Sequence, residues 1–153
     1  MNHTVAYQRI DEVAVLTIDN PPVNTLSADV RARLGALLQR AEEDPEVQAV
    51  VITGSVHGFS GGAEVREFNT PRQLQSPTLP ELNAAQDRIA KPLIAAISGF
   101  AFGAGLELLL LAIGASHHPA RSSGCLKCAS VCFPARAERS ACRVSSRWTL
   151  RCG

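Results

Sequence analysis

Glu107 is the acid most open to chemistry, because it closes the glycine-rich run GFAFGAGLE at residues 99–107 and is followed only by leucines and alanine. Its carboxylate is therefore expected in mostly apolar surroundings, where an ionised acid costs on the order of several kcal/mol unless it is paired or shifts its pKa. Such a group is a candidate acid, base or water-orienting residue. A second glycine-rich run, FSGGAE at residues 59–64, also follows an apolar stretch. Turns of this kind let backbone N–H groups point into a cleft, which suits a phosphate or an oxyanion. Neither run matches a phosphate-binding loop, and GFAFGAG lacks the spacing of a dinucleotide fingerprint. The bland alternative is that the glycines only permit close strand-to-helix packing.

The elements around these runs follow an orderly pattern. Val13–Ile18 is β-branched and aliphatic and ends at Asn20-Pro21-Pro22, so it reads as a strand leading into a loop. Ser27 suits a helix N-cap, and Val30, Leu34, Leu37, Leu38 and Ala41 recur at helical spacing until Asp44-Pro45. Residues 47–53 are almost wholly apolar, as in a strand covered on both faces, and 57–63 form a turn. After a Pro-rich connection at 71–80, residues 81–90 are expected to be helical, with Leu82, Ala85 and Ile89 inward and Lys91-Pro92 as the stop. Leu93–Ile97 is a further buried strand. The alternation of strands and helices predicts an α/β layered fold, and no internal repeat is present.

Charge divides the chain. Residues 1–119 hold 8 Lys+Arg and 13 Asp+Glu, a balance of −5, whereas 120–153 hold 7 basic residues and only Glu138, a balance of +6. All five cysteines, Cys125, Cys128, Cys132, Cys142 and Cys152, fall in the second part. The longest apolar run, 106–115, is broken by Glu107 and is too short for a bilayer span, and the N-terminus lacks the order of a secretion signal. A cytoplasmic protein with no membrane partner is the expectation.

Three motifs in order, NPPVNTLS (20–27), GFSGGAEVREF (58–68) and KPLIAAISGFAFGAGLEL (91–108), resemble the enoyl-CoA hydratase/isomerase, or crotonase, family, and most of all the hydratase part of multifunctional fatty-acid β-oxidation enzymes. The resemblance covers about the first 110 residues. It implies a partial crotonase-type fold of repeated β-β-α units over 1–110, with the C-terminal half missing and 111–153 a non-family, disordered Cys/Arg-rich tail.

The resemblance also implies an acyl-CoA thioester as the small-molecule substrate and no separate cofactor. In this family two backbone N–H groups, one after each glycine-rich turn, bind the thioester oxygen and stabilise an enolate; the matching residues are Ala63 and Ala104. Gly62, Glu64, Gly103 and Gly105, in the same turns, are the secondary substrate-binding positions. Glu64 stands where aspartate is usual, and its own role is expected to be structural hydrogen bonding rather than chemistry. Ala104 replaces a more usual glycine. Glu107 matches the first of two catalytic glutamates that hold and activate water. His57 reads as a plain loop histidine, Tyr7 and Phe68 as packing residues, and Phe100 and Phe102 as residues flanking the site that either border the acyl pocket or fill the core. Intact family members oligomerise, an expectation not extended to this chain.

The second glutamate is expected near position 127, where Lys127 stands, within a segment unlike the family's LPEVxLGLLPGAGG. Codons offer a cause. Written with G/C-rich codons and read from the third base of the Cys125 codon, the segment becomes PEVRLGLLPGARGTQRLPRL, with its glutamate codon straddling Leu126 and Lys127. A similar shift at 111–113 gives Cys-His-Arg, so a frame change between about Leu108 and Leu111 is expected. On this reading Cys125-x-x-Cys128 and its neighbours are no zinc site, and the arginines of 136–151, with Trp148 as their single aromatic, are no nucleic-acid surface. The resulting expectation is an enoyl-CoA hydratase-like chain, inactive or very weak. The alternatives are a dead fragment retaining acyl-CoA binding, or an isomerase-type relative.

Overall fold

The computed structural model describes residues 4–111 and 114–117. In chain order its elements are β1 (Val5–Ile10), β2 (Val13–Ile18), β3 (Thr25–Leu26), α1 (Ala28–Glu43), β4 (Ala49–Gly54), β5 (Gly62–Ala63), α2 (Leu79–Asp87), β6 (Leu93–Ile97), α3 (Ala104–Leu111) and β7 (Gly114–His117), with short 3-10 turns at Val65–Glu67 and Pro71–Leu74. The larger sheet has the order β1-β2-β4-β6-β7 and is parallel except for the β1–β2 hairpin. A second, two-stranded parallel sheet pairs β3 with β5. This is the layered α/β arrangement that the alternation of elements predicts.

Strand β2 alternates, with Ala14, Leu16 and Ile18 fully buried and the intervening residues partly exposed. That period of two puts one face against α1, whose Val30, Leu34, Leu37, Leu38 and Ala41 form the opposing stripe. Each such aliphatic side chain contributes about 1.5–3 kcal/mol when fully buried. Ser27 caps α1 by accepting from the Val30 N–H at 3.4 Å. At its other end the Lys91 ammonium donates to the carbonyls of Ala41 and Asp44, at 2.7 and 2.6 Å, and so satisfies terminal acceptors that the helix leaves open. Lys91 stands two residues before β6, so the contact ties the end of α1 to the strand that leads into the second glycine-rich run.

Three details depart from the expected elements. Strand β1 was not anticipated; it pairs antiparallel with β2 through a two-residue turn in which Asp11 takes a left-handed φ of 52°, rather than through a glycine. Helix α2 begins at Leu79 instead of 81, because Thr78 and Glu81 form a reciprocal capping box around Pro80. On its inner side Leu82 is joined by Gln86, four residues on and therefore on the same face, while Ala85 is only partly buried. Helix α3 continues to Leu111, and the sheet takes one further strand, β7, after it.

Candidate functional site

The first glycine-rich run is anchored by side chains from the 20–27 loop. Asn24 is fully buried with a left-handed φ of 53°, a conformation asparagine tolerates better than most residues. Its Nδ2 donates to the Gly58 carbonyl at 2.6 Å and to Ser55 Oγ at 3.2 Å, while its Oδ1 accepts from the Asn20 N–H at 2.9 Å. Ser60, also fully buried, donates from Oγ to the Asn24 carbonyl at 2.7 Å and accepts from the Gly62 N–H at 3.1 Å. The Gly61 N–H reaches the Val23 carbonyl at 2.7 Å, and Leu26 pairs with Ala63 across β3 and β5. A chain of buried, satisfied polar groups thus holds Ala63 in register.

The second run is attached to the first through backbone. The Phe100 carbonyl accepts from the N–H groups of Phe59 and Ser60, at 3.0 and 3.3 Å, and the Phe102 N–H donates to the Ser60 carbonyl at 2.9 Å. Gly62 has φ +91°, and a Cβ built there would lie 2.7 Å from the Phe102 carbonyl oxygen and 3.4 Å from the Ala104 nitrogen. A Cβ on Gly105 would meet Ser60 Cβ at 2.7 Å. Both glycines are therefore needed for the close approach of the two turns, whereas Gly103, at φ +49°, has nothing within 4 Å of its Cβ position.

Ala104 is the first residue of α3. The turn is closed by Gly105 and Leu106, which donate to the Phe102 and Gly103 carbonyls at 2.9 Å, and by Glu107, which donates to Gly103 at 3.1 Å. Among the described residues no group accepts from the Ala104 N–H, which stands at the positive end of a helix. Beside Ala63 lies a cavity of about 280 Å³ with a largely apolar wall that includes Phe68, Leu74 and Leu79. Ala104 is not among the residues that line this cavity; it is joined to it only through Gly62, which precedes Ala63 and whose Cβ position lies 3.4 Å from the Ala104 nitrogen. An apolar recess of this kind suits a ligand with a hydrocarbon tail.

Glu107 differs from expectation. Its side chain is solvent-exposed rather than surrounded by apolar groups, and its one described contact is a hydrogen bond from Asn83 Nδ2 at 3.4 Å. The reason is helical phase: Ala104 and Leu108, four apart, take the buried side of α3, and Glu107 falls off that stripe toward α2. Glu64 is engaged by protein groups, accepting from Thr25 Oγ1 at 2.7 Å and from the Arg66 N–H at 3.2 Å. The Thr25 hydroxyl first, and the Arg66 amide second, hold its carboxyl below the usual range.

Phe100 and Phe102 stack with centroids 5.4 Å apart, and Phe102 is exposed; neither lines the cavity. Phe68, expected as packing, is half-exposed because it borders the cavity instead of the core. Tyr7 does pack against the core, with the Arg40 guanidinium 4.5 Å over its ring, and His57 is exposed in its loop. Lys127, the five cysteines and the Arg-rich run lie outside the described residues. Among the described residues no helix is long and apolar enough to cross a membrane. Sequence reading missed Asn24, Ser60, Arg31 and Glu67; the only local signal was the asparagine of NPPVN, a residue type that accepts left-handed turns.

Comparison with known proteins points one way. A family model described as enoyl-CoA hydratase/isomerase matches residues 8–113. The zebrafish (Danio rerio) peroxisomal bifunctional enzyme is 48% identical over 99 residues, covering 65% of this chain and 14% of the relative. A glyoxysomal fatty acid beta-oxidation multifunctional protein of Brassica napus is 39% identical over 108 residues, covering 64% of this chain and 14% of its own length. A solved Legionella pneumophila structure, described as a candidate enoyl-CoA hydratase/isomerase (crotonase), superposes with a TM-score of 0.69 at 25% identity, covering 76% of this chain and 48% of that one. This chain therefore spans about a seventh of the multifunctional relatives and about half of the solved structure.

Proposed function

This chain belongs to the enoyl-CoA hydratase/isomerase family, and from that premise we propose that it binds a 2-enoyl-CoA thioester through the N–H groups of Ala63 and Ala104, with Glu107 orienting water for weak hydration to a 3-hydroxyacyl-CoA. The observation that supports this reading is the approach of Gly62, next to the cavity-lining Ala63, to the Ala104 N–H, which has no acceptor among the described residues. Two donors aimed at one carbonyl oxygen stabilise the charge that grows there, and loss of one such donor costs about 3–4 kcal/mol in the transition state. Coenzyme A enters as part of the substrate, and the reading invokes no further cofactor, metal or nucleic acid.

Water addition needs a base and an acid around one water molecule. Glu107 supplies one carboxylate. Lys127, an ammonium, stands where the family motif has the other, so the chain as written lacks a proton-donating carboxyl and its rate falls by orders of magnitude. The frame change between about Leu108 and Leu111 accounts for that loss. The zebrafish relative is named peroxisomal and the Brassica relative glyoxysomal.

Calorimetric titration with crotonyl-CoA against free CoA tests the binding, with the thioester expected to bind more tightly. Equal or absent binding overturns the reading. Loss of crotonyl-CoA absorbance at the rate of ordinary hydratases would instead refute the impairment while leaving the site intact. A gene sequence unable to encode PEVRLGLL in the shifted frame would remove the proposed cause.

A further inference from the structure

Arg31 and Glu67 are buried charges that the proposed chemistry does not use. Arg31, in the first turn of α1, is 3% exposed, and Glu67 is 7% exposed. Their ion pair is 3.3 Å long. Glu67 also accepts from the Ala28 N–H at 3.0 Å and from Arg72 Nε at 3.1 Å. A buried pair of this kind is often no more stabilising than apolar residues of similar volume, so its presence calls for a role other than net stability.

The geometry shows what the guanidinium does. Arg31 Nε donates to the Pro77 carbonyl at 2.8 Å, Nη1 to the Leu26 carbonyl at 3.0 Å, and Nη2 to the carbonyls of Arg72 and Gln75 at 3.1 and 3.3 Å. Leu26 is the β3 partner of Ala63. Arg72, Gln75 and Pro77 belong to the connection that supplies Leu74 and Thr78 to the cavity wall. This connection has only a short 3-10 turn of its own, and one planar fork of donors satisfies three of its carbonyls. Arg31 itself lines the cavity beside Glu67.

We propose that Arg31, oriented by Glu67, is a specificity-determining positioning residue: it ties the far wall of the cavity to the strand pair carrying Ala63 and so sets the acyl chain length that the cavity accepts. This rests on the reading of the cavity as the acyl site. The test titrates the full chain with butyryl-, hexanoyl-, decanoyl- and hexadecanoyl-CoA. In the parent, affinity rises with length and then breaks. In Arg31→Leu the wall is released and the break moves or vanishes, changing the decanoyl-to-butyryl affinity ratio by about tenfold or more. Arg31→Lys keeps the charge opposite Glu67 but cannot reach the carbonyls as a fork, and it behaves like the leucine variant.

A folded Arg31→Leu variant whose affinities all shift by one factor, or not at all, overturns the inference and leaves the acyl-CoA site standing. Should both Arg31 variants fail to fold, Leu74→Trp decides. Leu74 is 77% exposed on the held wall, so the change spares folding; it narrows the recess and lowers the decanoyl-to-butyryl affinity ratio by about tenfold. An unchanged ratio in that variant also overturns the inference. A parent chain that binds no thioester more tightly than free CoA removes the acyl site and this inference together.

Discussion

The turn at 58–64 and the turn at 99–107 carry the two proposed donors, yet they are held in different ways. The first is gripped by side chains: Asn24 on the Gly58 carbonyl, Ser60 on the Gly62 N–H, and Thr25 on Glu64. Among the described residues the second has no comparable side-chain support. Its backbone hangs on Phe59 and Ser60, Phe102 is 57% exposed, and Glu107 touches only Asn83 among the described residues. The order of dependence follows: a disturbance in the first turn is transmitted to the second through the Ser60 backbone, whereas a change in the outer part of the second turn stays local.

The largest effect is expected where the turns meet. Gly62→Val places a branched side chain at φ +91° and 2.7 Å from the Phe102 carbonyl, which costs about 3 kcal/mol or more in urea unfolding. A variant as stable as the parent would mean that the two turns are not in contact. Asn24→Ala comes next, at about 2 kcal/mol, since it strips the Gly58 carbonyl and the Asn20 N–H of partners and puts alanine at a left-handed φ. Its amide exchange should quicken in both turns. Faster exchange confined to residues 58–64 would break the proposed order of dependence.

A pH effect sharpens the comparison from the acid side. The folded Glu64 carboxyl lies below its ordinary value, so its contribution is fully present above the unfolded pKa and is lost as pH falls through the folded one, beneath the usual carboxylate range. Thr25→Val removes the larger of the two causes and moves that loss to higher pH. Side-chain carboxyl NMR titration reads the shift directly, and an unmoved Glu64 would show that the hydroxyl does not hold it. The smallest effect on stability belongs to Glu107→Gln, within about 0.5 kcal/mol by thermal unfolding, because the side chain is exposed. Whatever hydration the parent shows should nevertheless fall in this variant.

Much of the frame was legible because its signals are local. The stripe from Val30 to Ala41, the Ser27 cap, β2 and β6 each rest on a period or a cap contained in one segment. Strand β1 escaped because Gln8 and Arg9 interrupt its apolar pattern and its turn is Asp11-Glu12 rather than a glycine pair. The surroundings of Glu107 were misjudged for a related reason: apolar neighbours in sequence lie on other sides of a helix, so the phase and not the composition decides exposure.

The residue order alone determined the succession of strands and helices, the positions of both glycine-rich turns and the motifs of the family, since each depends on neighbours a few places apart. Only the tertiary structure decided that Ser60 joins the two turns, that Glu107 faces solvent, and that Arg31 reaches 46 residues along the chain to the Pro77 carbonyl. Those contacts link segments far apart in sequence, and a buried donor or acceptor finds its partner only once packing has brought the distant segment to it.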